Sequence, residues 1–342
     1  MKLRPWLVLA ALALTAAIVH AGIHAMPEQE SLPGRGTARR ELVRVWIVSQ
    51  PGGGEKWLKE CIRAWEKTRP GATVYLRSVS AGELVSPNAV LPDLVLYTPG
   101  TVPRPQDCFS VLTGFAGLRE PLLRAGRWQG EQYGLPLCYG AYALVMDAAG
   151  QPPAPTTLLG RPAATSLPTQ APSLPDAVLA PAGCSLFALG SLHAALTEQP
   201  AASPADVYTR FLAGREQAAM LTTGQITALD GSLAISVITP EEIVTDQVWF
   251  ASLCPDAGEG ASSLVRFLTS LEGQRRLSAQ GLHTVREDLR LYVSGTSAAI
   301  ESAAGVALTA INAYIPAADV QAAAWQYFTG REELSAALLP LI

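Results

Sequence analysis

Histidine is nearly absent from this chain, and charge is scarce. Of the four histidines, His20 and His24 fall in an apolar N-terminal stretch. His193 and His283 remain, too few for a histidine-rich metal site. Charged residues make up 16% of the sequence with a formal net charge of −4, so no basic footprint for nucleic acid exists. The five cysteines, Cys61, Cys108, Cys138, Cys184 and Cys254, are odd in number and widely spaced. They form no C-x-x-C pair and no disulfide framework. They read as buried small hydrophobes, with one or two bridges open in an oxidising compartment. Catalytic signatures are missing too. There is no G-x-S-x-G elbow and no H-E-x-x-H. Gly52-Gly53-Gly54 is followed by Glu55-Lys56-Trp57, which is not a phosphate loop, and no dinucleotide fingerprint follows a strand. Glu241-Glu242 follow Pro240 in a polar segment and do not make a glycosidase pair. One hydrolase reading survives these exclusions: His193 or His283 pairing with a serine or cysteine.

What the chain does have is apolar residues, 49% of 342. That is enough for a folded protein with two globular units, each burying a core. Lys2 and Arg4 precede the apolar run Trp6–Val19, the pattern of a secretory leader. Val19-His20-Ala21 and Ile23-His24-Ala25 loosely fit a cleavage site. An uncleaved anchor is the alternative, because Trp6–Ala25 reaches the ~20 residues that span a bilayer. Residues 1–25 are thus a signal peptide or anchor, and 26–40 a polar linker.

Strand and helix periods then alternate. Leu42–Val48 has the β-branched and aromatic content of a buried strand, and the three glycines at 52–54 break it. Leu58, Cys61, Ile62 and Trp65 stand at helical spacing within Glu55–Lys67, and Pro70-Gly71 ends that helix. Thr73–Val79 is a second strand, so the unit predicts parallel pairing through a right-handed crossover. Asp93–Thr98 predicts a third strand, Leu135–Met146 one extended stretch, and Gln151–Pro175 surface loops. Further along, the pattern predicts a helix at Ala205–Leu212, strands at Gln217–Leu221 and Asp246–Leu253, and one amphipathic helix over Ser262–Ala279. Two or three helices are expected in the Ala-rich tail, Ser297–Ile342.

Four groups of residues, in this order, resemble extracytoplasmic solute-binding proteins, the capture subunits of ABC importers. The first is RVWIVSQPGGGEKWLKECIRAWEKTRPGATV. The second is Pro92-Asp93 before a buried strand. The third is Tyr133-Gly134-Leu135-Pro136 with Tyr142-Ala143-Leu144 and Asp147. The fourth comprises Phe211–Asp230 and Phe267–Glu287, each read as an amphipathic helix followed by a small-residue turn. The resemblance implies an α/β, two-lobed periplasmic-binding-protein-like fold of type 2 with a ligand cleft between lobes. It implies lobe 1 over 41–138 and 249–290, and lobe 2 over 139–248 and 291–342. Partners would be a small-molecule solute and ABC permease subunits, with the membrane reached through the leader if uncleaved. No cofactor is implied. Sugar-binding relatives often carry a tryptophan just after the glycine matching Gly224. Here Gln225 and Ile226 follow, so that stacking platform is missing.

In open α/β sheets, ligands sit beyond the carboxyl ends of strands, near helix N-termini. Gln50 and Gly53 lie at such an end, where glycine lets backbone approach a guest or simply makes a tight turn. Tyr97 and Thr98 end the third strand. Tyr139 stands where the family crosses between lobes, and Thr223 and Gln225 offer hydrogen bonds from lobe 2. On the returning strand Trp249 and Phe250 point to opposite faces, and Trp249 is the expected stacking partner. The function implied is solute capture and delivery to a permease. The alternative is a membrane-anchored binding-fold protein acting as sensor or assembly partner with a reduced pocket.

Overall fold

The computed structural model describes residues 41–86, 90–147, 178–179, 183–191, 204–216, 218–229 and 235–342. The predicted leader, the linker, the Gln151–Pro175 loops and His193 lie outside the described residues. In chain order, β1 (Glu41–Ile47), α1 (Gly54–Thr68) and β2 (Ala72–Ser78) form the first unit. The two strands pair in parallel, from Glu41 with Ala72 to Ile47 with Ser78, as the alternating periods predicted. Helix α1 forms because its apolar residues fall on one face: Trp57, Leu58, Cys61, Ile62 and Trp65 are all buried. It starts after Gly53, whose φ of 84° is a left-handed value that glycine adopts without strain.

The chain continues through α2 (Ala81–Leu84), β3 (Leu94–Tyr97), α3 (Glu120–Ala125), the short strands β4 (Arg127–Trp128) and β5 (Glu131–Gln132), β6 (Leu135–Tyr139) and β7 (Tyr142–Asp147). There follow β8 (Val178–Leu179), α4 (Cys184–Ser191), α5 (Pro204–Leu212), β9 (Ala218–Thr222), α6 (Thr223–Leu229), β10 (Ile235–Ile238), β11 (Ile243–Thr245) and β12 (Val248–Leu253). The last part holds α7 (Glu259–Leu268), α8 (Leu271–Arg275), α9 (Gly295–Val306), β13 (Leu308–Ala310), α10 (Ala317–Phe328) and α11 (Leu334–Leu338).

Two main sheets result. One has the order β2-β1-β3-β12-β6, the other β10-β7-β9-β8. Strand β12 returns from far along the chain to lie antiparallel between β3 and β6. The predicted single stretch Leu135–Met146 is instead two strands in different sheets, divided at Gly140-Ala141. The backbone turns there because other groups take its hydrogen bonds: Gly140 N–H donates to Gln247 O (2.7 Å) and Thr245 Oγ1 donates to Gly140 O (2.8 Å). Strands β7 and β9 are buried on both faces. Their alternate residues Ala143, Val145, Ala219 and Leu221 join the hydrophobic cluster of the first sheet. Tyr142, Leu144, Ala218 and Met220 join a second cluster with α4 and α10.

Two expectations need correction. Phe211–Asp230 is not a helix and a turn; it holds the end of α5, strand β9 and the start of a new helix at Thr223. Ser262–Ala279 is broken after Leu268. Thr269 Oγ1 donates back to Val265 O (3.1 Å), and Ser270 Oγ accepts from Gly273 N–H (3.2 Å), capping α8. These short polar side chains compete with the helix ladder and end it. The Ala-rich tail holds α9, α10 and α11, as its composition predicted.

Candidate functional site

The loop after β1 draws several predicted residues together. Ser49, which with Gln50 lies at the end of the first strand, is its anchor. Its Oγ accepts from Thr98 N–H (2.8 Å) and pairs with Thr98 Oγ1 (2.8 Å), while its carbonyl accepts from Trp249 Nε1 (2.8 Å). Gln50 follows, exposed, with Nε2 donating to Glu55 Oε2 (3.3 Å). The outer side of this loop and of α1 forms a concavity of about 640 Å³ lined by Gln50, Gly53, Lys56, Lys59 and Arg63 among others. The strand end is legible in the sequence, but only the sheet register, pairing Ile47 with Leu96, brings Ser49 beside Thr98.

On its inner side the loop meets, through glycines, α6 after strand β9, the turn at Gln280 and strand β12. A Cβ placed on Gly224, at the start of α6, would lie 2.7 Å from Gly52 O, and one on Gly53 would lie 3.0 Å from Gln280 O. A Cβ on Gly140 would lie 3.2 Å from Thr223 Oγ1, and one on Gly54 would lie 3.1 Å from the Trp249 ring. Gly53, Thr98, Tyr139, Thr223, Gln225 and Trp249 therefore lie around one region, the crossing between the two sheets, while Gln50 lines the concavity on the other side of the loop. Tyr97 lies deeper in the first sheet.

Four of these side chains do not face solvent, which corrects their expected role as open cleft walls. Trp249 is fully buried, 6.1 Å ring to ring from Trp57. Trp249 and Phe250 do point to opposite faces, Trp249 to Trp57 of α1 and Phe250 to Tyr97, but both faces of the sheet are covered and both residues are core. Tyr97 is also fully buried, its Oη 2.8 Å from Ser252 Oγ and 2.9 Å from Tyr314 Oη. Burial pushes its phenol up from the usual value. Tyr139 and Thr223 are buried as well. Gln225 is half-buried and caps its own helix: its Oε1 accepts from Thr222 N–H (2.9 Å), and Thr222 Oγ1 accepts from Gln225 N–H (3.3 Å). This reciprocal Thr-x-x-Gln capping box is legible in the sequence.

Below the crossing, His283 is fully buried against Tyr139, with ring centroids 5.2 Å apart, and the two exchange backbone hydrogen bonds of 2.8 and 3.2 Å. Neither ring nitrogen of His283 has a hydrogen-bond partner among the described residues, so no serine or cysteine is poised there by an imidazole. Burial, with the nearby Arg119 charge second, lowers its pKa to about 3. Gln247 ties both crossing strands, its Nε2 donating to Tyr142 Oη (2.8 Å) and to Asp246 Oδ1 (2.9 Å). Among the described residues no group of three or more His, Cys, Asp or Glu could hold a metal ion. Among those same residues no helix is long and apolar enough to cross a membrane.

No family model matches the chain, and no curated protein sequence does. Solved structures do match by shape. The GacH receptor of Streptomyces glaucescens, solved unliganded and with acarbose, aligns with a TM-score of 0.58 and 12% identity over 87% of this chain and 95% of that one. The ABC substrate-binding protein Lmo0181 of Listeria monocytogenes, solved with cycloalternan, gives 0.57 and 15% over 87% and 96%. A cyclo/maltodextrin-binding protein with maltotetraose gives 0.55 and 15% over 87% and 94%. The fold is that of the two-lobed solute-binding proteins. Nearly the full length of each neighbour is covered, so both halves of this fold are represented.

Proposed function

We propose that this chain is an exported binding protein, not an enzyme, that holds a small solute between two lobes and presents it to an ABC-type permease. The observation that carries the reading is the convergence of loop ends from both sheets on one crossing, in a fold shared with binding proteins. Two strand connections tie the lobes there, Tyr139–Tyr142 and Thr245–Val248. Such thin joints let a ligand that touches both sides favour the closed state by its differential affinity. In this proposal lobe 1 takes residues 41–138 and 249–290, and lobe 2 takes 139–248 and 291–342. The pairing of β11 with β13 and the packing of α10 on α4 support giving the tail to lobe 2. Residues 1–25 supply the export signal or a tether to the outer face of the membrane.

The neighbours' acarbose, cycloalternan and maltotetraose make oligosaccharides the first solute class to test. The aromatic rings at the crossing are buried, so the groups left for a guest are polar: Gln50, the backbone at Gly52-Gly53, and Thr98. We therefore assign recognition to hydrogen bonding rather than ring stacking. A thermal-shift screen with oligosaccharides, monosaccharides, amino acids, polyamines and anions tests this. A solute at 100 times its Kd stabilises by about 2.7 kcal/mol, and Gln50→Ala should weaken that shift while leaving the unliganded midpoint unchanged. A flat screen across every class would sink the proposal.

A further inference from the structure

The geometry points to Gly224 as the stop that sets how closely the two sheets approach, a contact whose size only glycine fits. It goes beyond solute capture, because the contact runs from protein to protein and needs no guest to bridge it. Gly224 lies near the start of α6, on the side of the second sheet. A Cβ there would sit 2.7 Å from Gly52 O, 3.2 Å from Gly52 C and 3.6 Å from Gly52 Cα. All three atoms are main chain, so no rotamer change relieves the clash.

The neighbouring contacts are built the same way. Gly281 has φ 67°, and a Cβ on it would lie 2.7 Å from Thr223 O and 2.1 Å from Thr227 Oγ1. Two glycine contacts thus join three separate segments at α6: the loop after β1, the turn at Gly281, and α6 itself. Main-chain atoms in van der Waals contact do not compress, so added volume must separate the segments.

The clash is one-sided, and that makes it testable. A Cβ on Gly52 would meet nothing within 4 Å, and the same holds for Gly305 in α9. None of the three glycines lies in the left-handed region, so alanine suits each backbone. Alanine also favours helix over glycine. Gly305→Ala should therefore raise the unfolding midpoint and leave the shape unchanged, and Gly52→Ala should leave both near wild type. Gly224→Ala alone should separate the lobes.

Small-angle scattering on the purified full chain, with no solute added, reads the outcome. The expected result is a larger radius of gyration for Gly224→Ala than for wild type, Gly52→Ala and Gly305→Ala. A folded Gly224→Ala with the wild-type radius overturns the inference, because the Gly52 loop would then yield locally. A second measurement needs no junction variant. Spin labels at Lys59→Cys on α1 and Thr209→Cys on α5 use exposed positions, while the described native cysteines are buried. A sharp shortest distance is expected without solute, the limit that the stop imposes whatever wider separations the joints allow, and a distribution with no such lower edge overturns the inference. Neither readout involves binding, so the inference and the solute-capture reading fail separately.

Discussion

His283 is the residue whose surroundings decide its chemistry. An exposed imidazole titrates near 6.5, whereas burial between Tyr139 and Tyr292 beside Arg119 brings this one to about 3. The folded protein therefore keeps His283 neutral while the unfolded chain takes a proton below about pH 6.5. The stabilising contribution is full above that pH and is lost as pH falls from there towards 3. For one proton the slope is about 1.4 kcal/mol per pH unit. His283→Gln, which cannot titrate, should lose stability less steeply between pH 6 and 4 in urea unfolding. Equal slopes for the two proteins would remove His283 as the cause. Trp249 carries a related lesson. Its aromatic face suggested a ligand platform, yet its Nε1 is spent on Ser49 O and its ring on Trp57 and Gly54. Burial turned a candidate contact into a structural pin.

At the scale of elements, local rules explain most boundaries. Helix α1 follows from its apolar stripe and glycine start. The break between α7 and α8 follows from Thr269 and Ser270. If the Ser270 cap on Gly273 N–H holds α8 in place, Ser270→Ala should cost about 1 kcal/mol, measured as a shifted denaturation midpoint with an unchanged slope. No loss would mean that packing alone places α8. The reason a break is needed is visible at Gly273, where a Cβ would lie 2.4 Å from Phe267 O. The chain doubles back too tightly for a continuous helix. Periodicity could not reveal this, because Leu264, Phe267, Leu268, Leu271 and Leu277 keep helical spacing straight across the break. The same limit merged β6 and β7, whose apolar run continues through a change of sheet.

At the scale of the whole molecule, the two sheets are tied by few strands but share a core. One hydrophobic cluster takes in Val45, Leu96 and Phe250 from the first sheet, Val145 and Leu221 from the second, and Leu229 of α6. A shared core predicts one cooperative unfolding transition in spite of the two-lobed plan. Thr245 sits at the joint, fully buried, donating to Gly140 O and accepting from Gln247 N–H (2.9 Å). Thr245→Val leaves those two backbone groups without their partner and should cost about 1–3 kcal/mol. Calorimetry should show a lower midpoint but still a single transition. Two resolved transitions would show that the sheets unfold separately.

The sequence by itself determined the elements and their class. Alternating β and α periods, glycines at strand ends and the parallel β1-α1-β2 unit are local properties, and local physics fixes them. It also named the strand-end loops, and Gly53, Thr98, Thr223 and Gln225 lie near the crossing. Only the tertiary structure decided which of the chosen side chains stay open to solvent. Burial of Trp249, Tyr97 and Tyr139 depends on what packs over them from distant segments, Tyr314 lying 217 residues from Tyr97, and no local pattern records that. The close approach at Gly224 is of the same kind: the residue is visible in the sequence, but the carbonyl it must clear belongs to the other sheet.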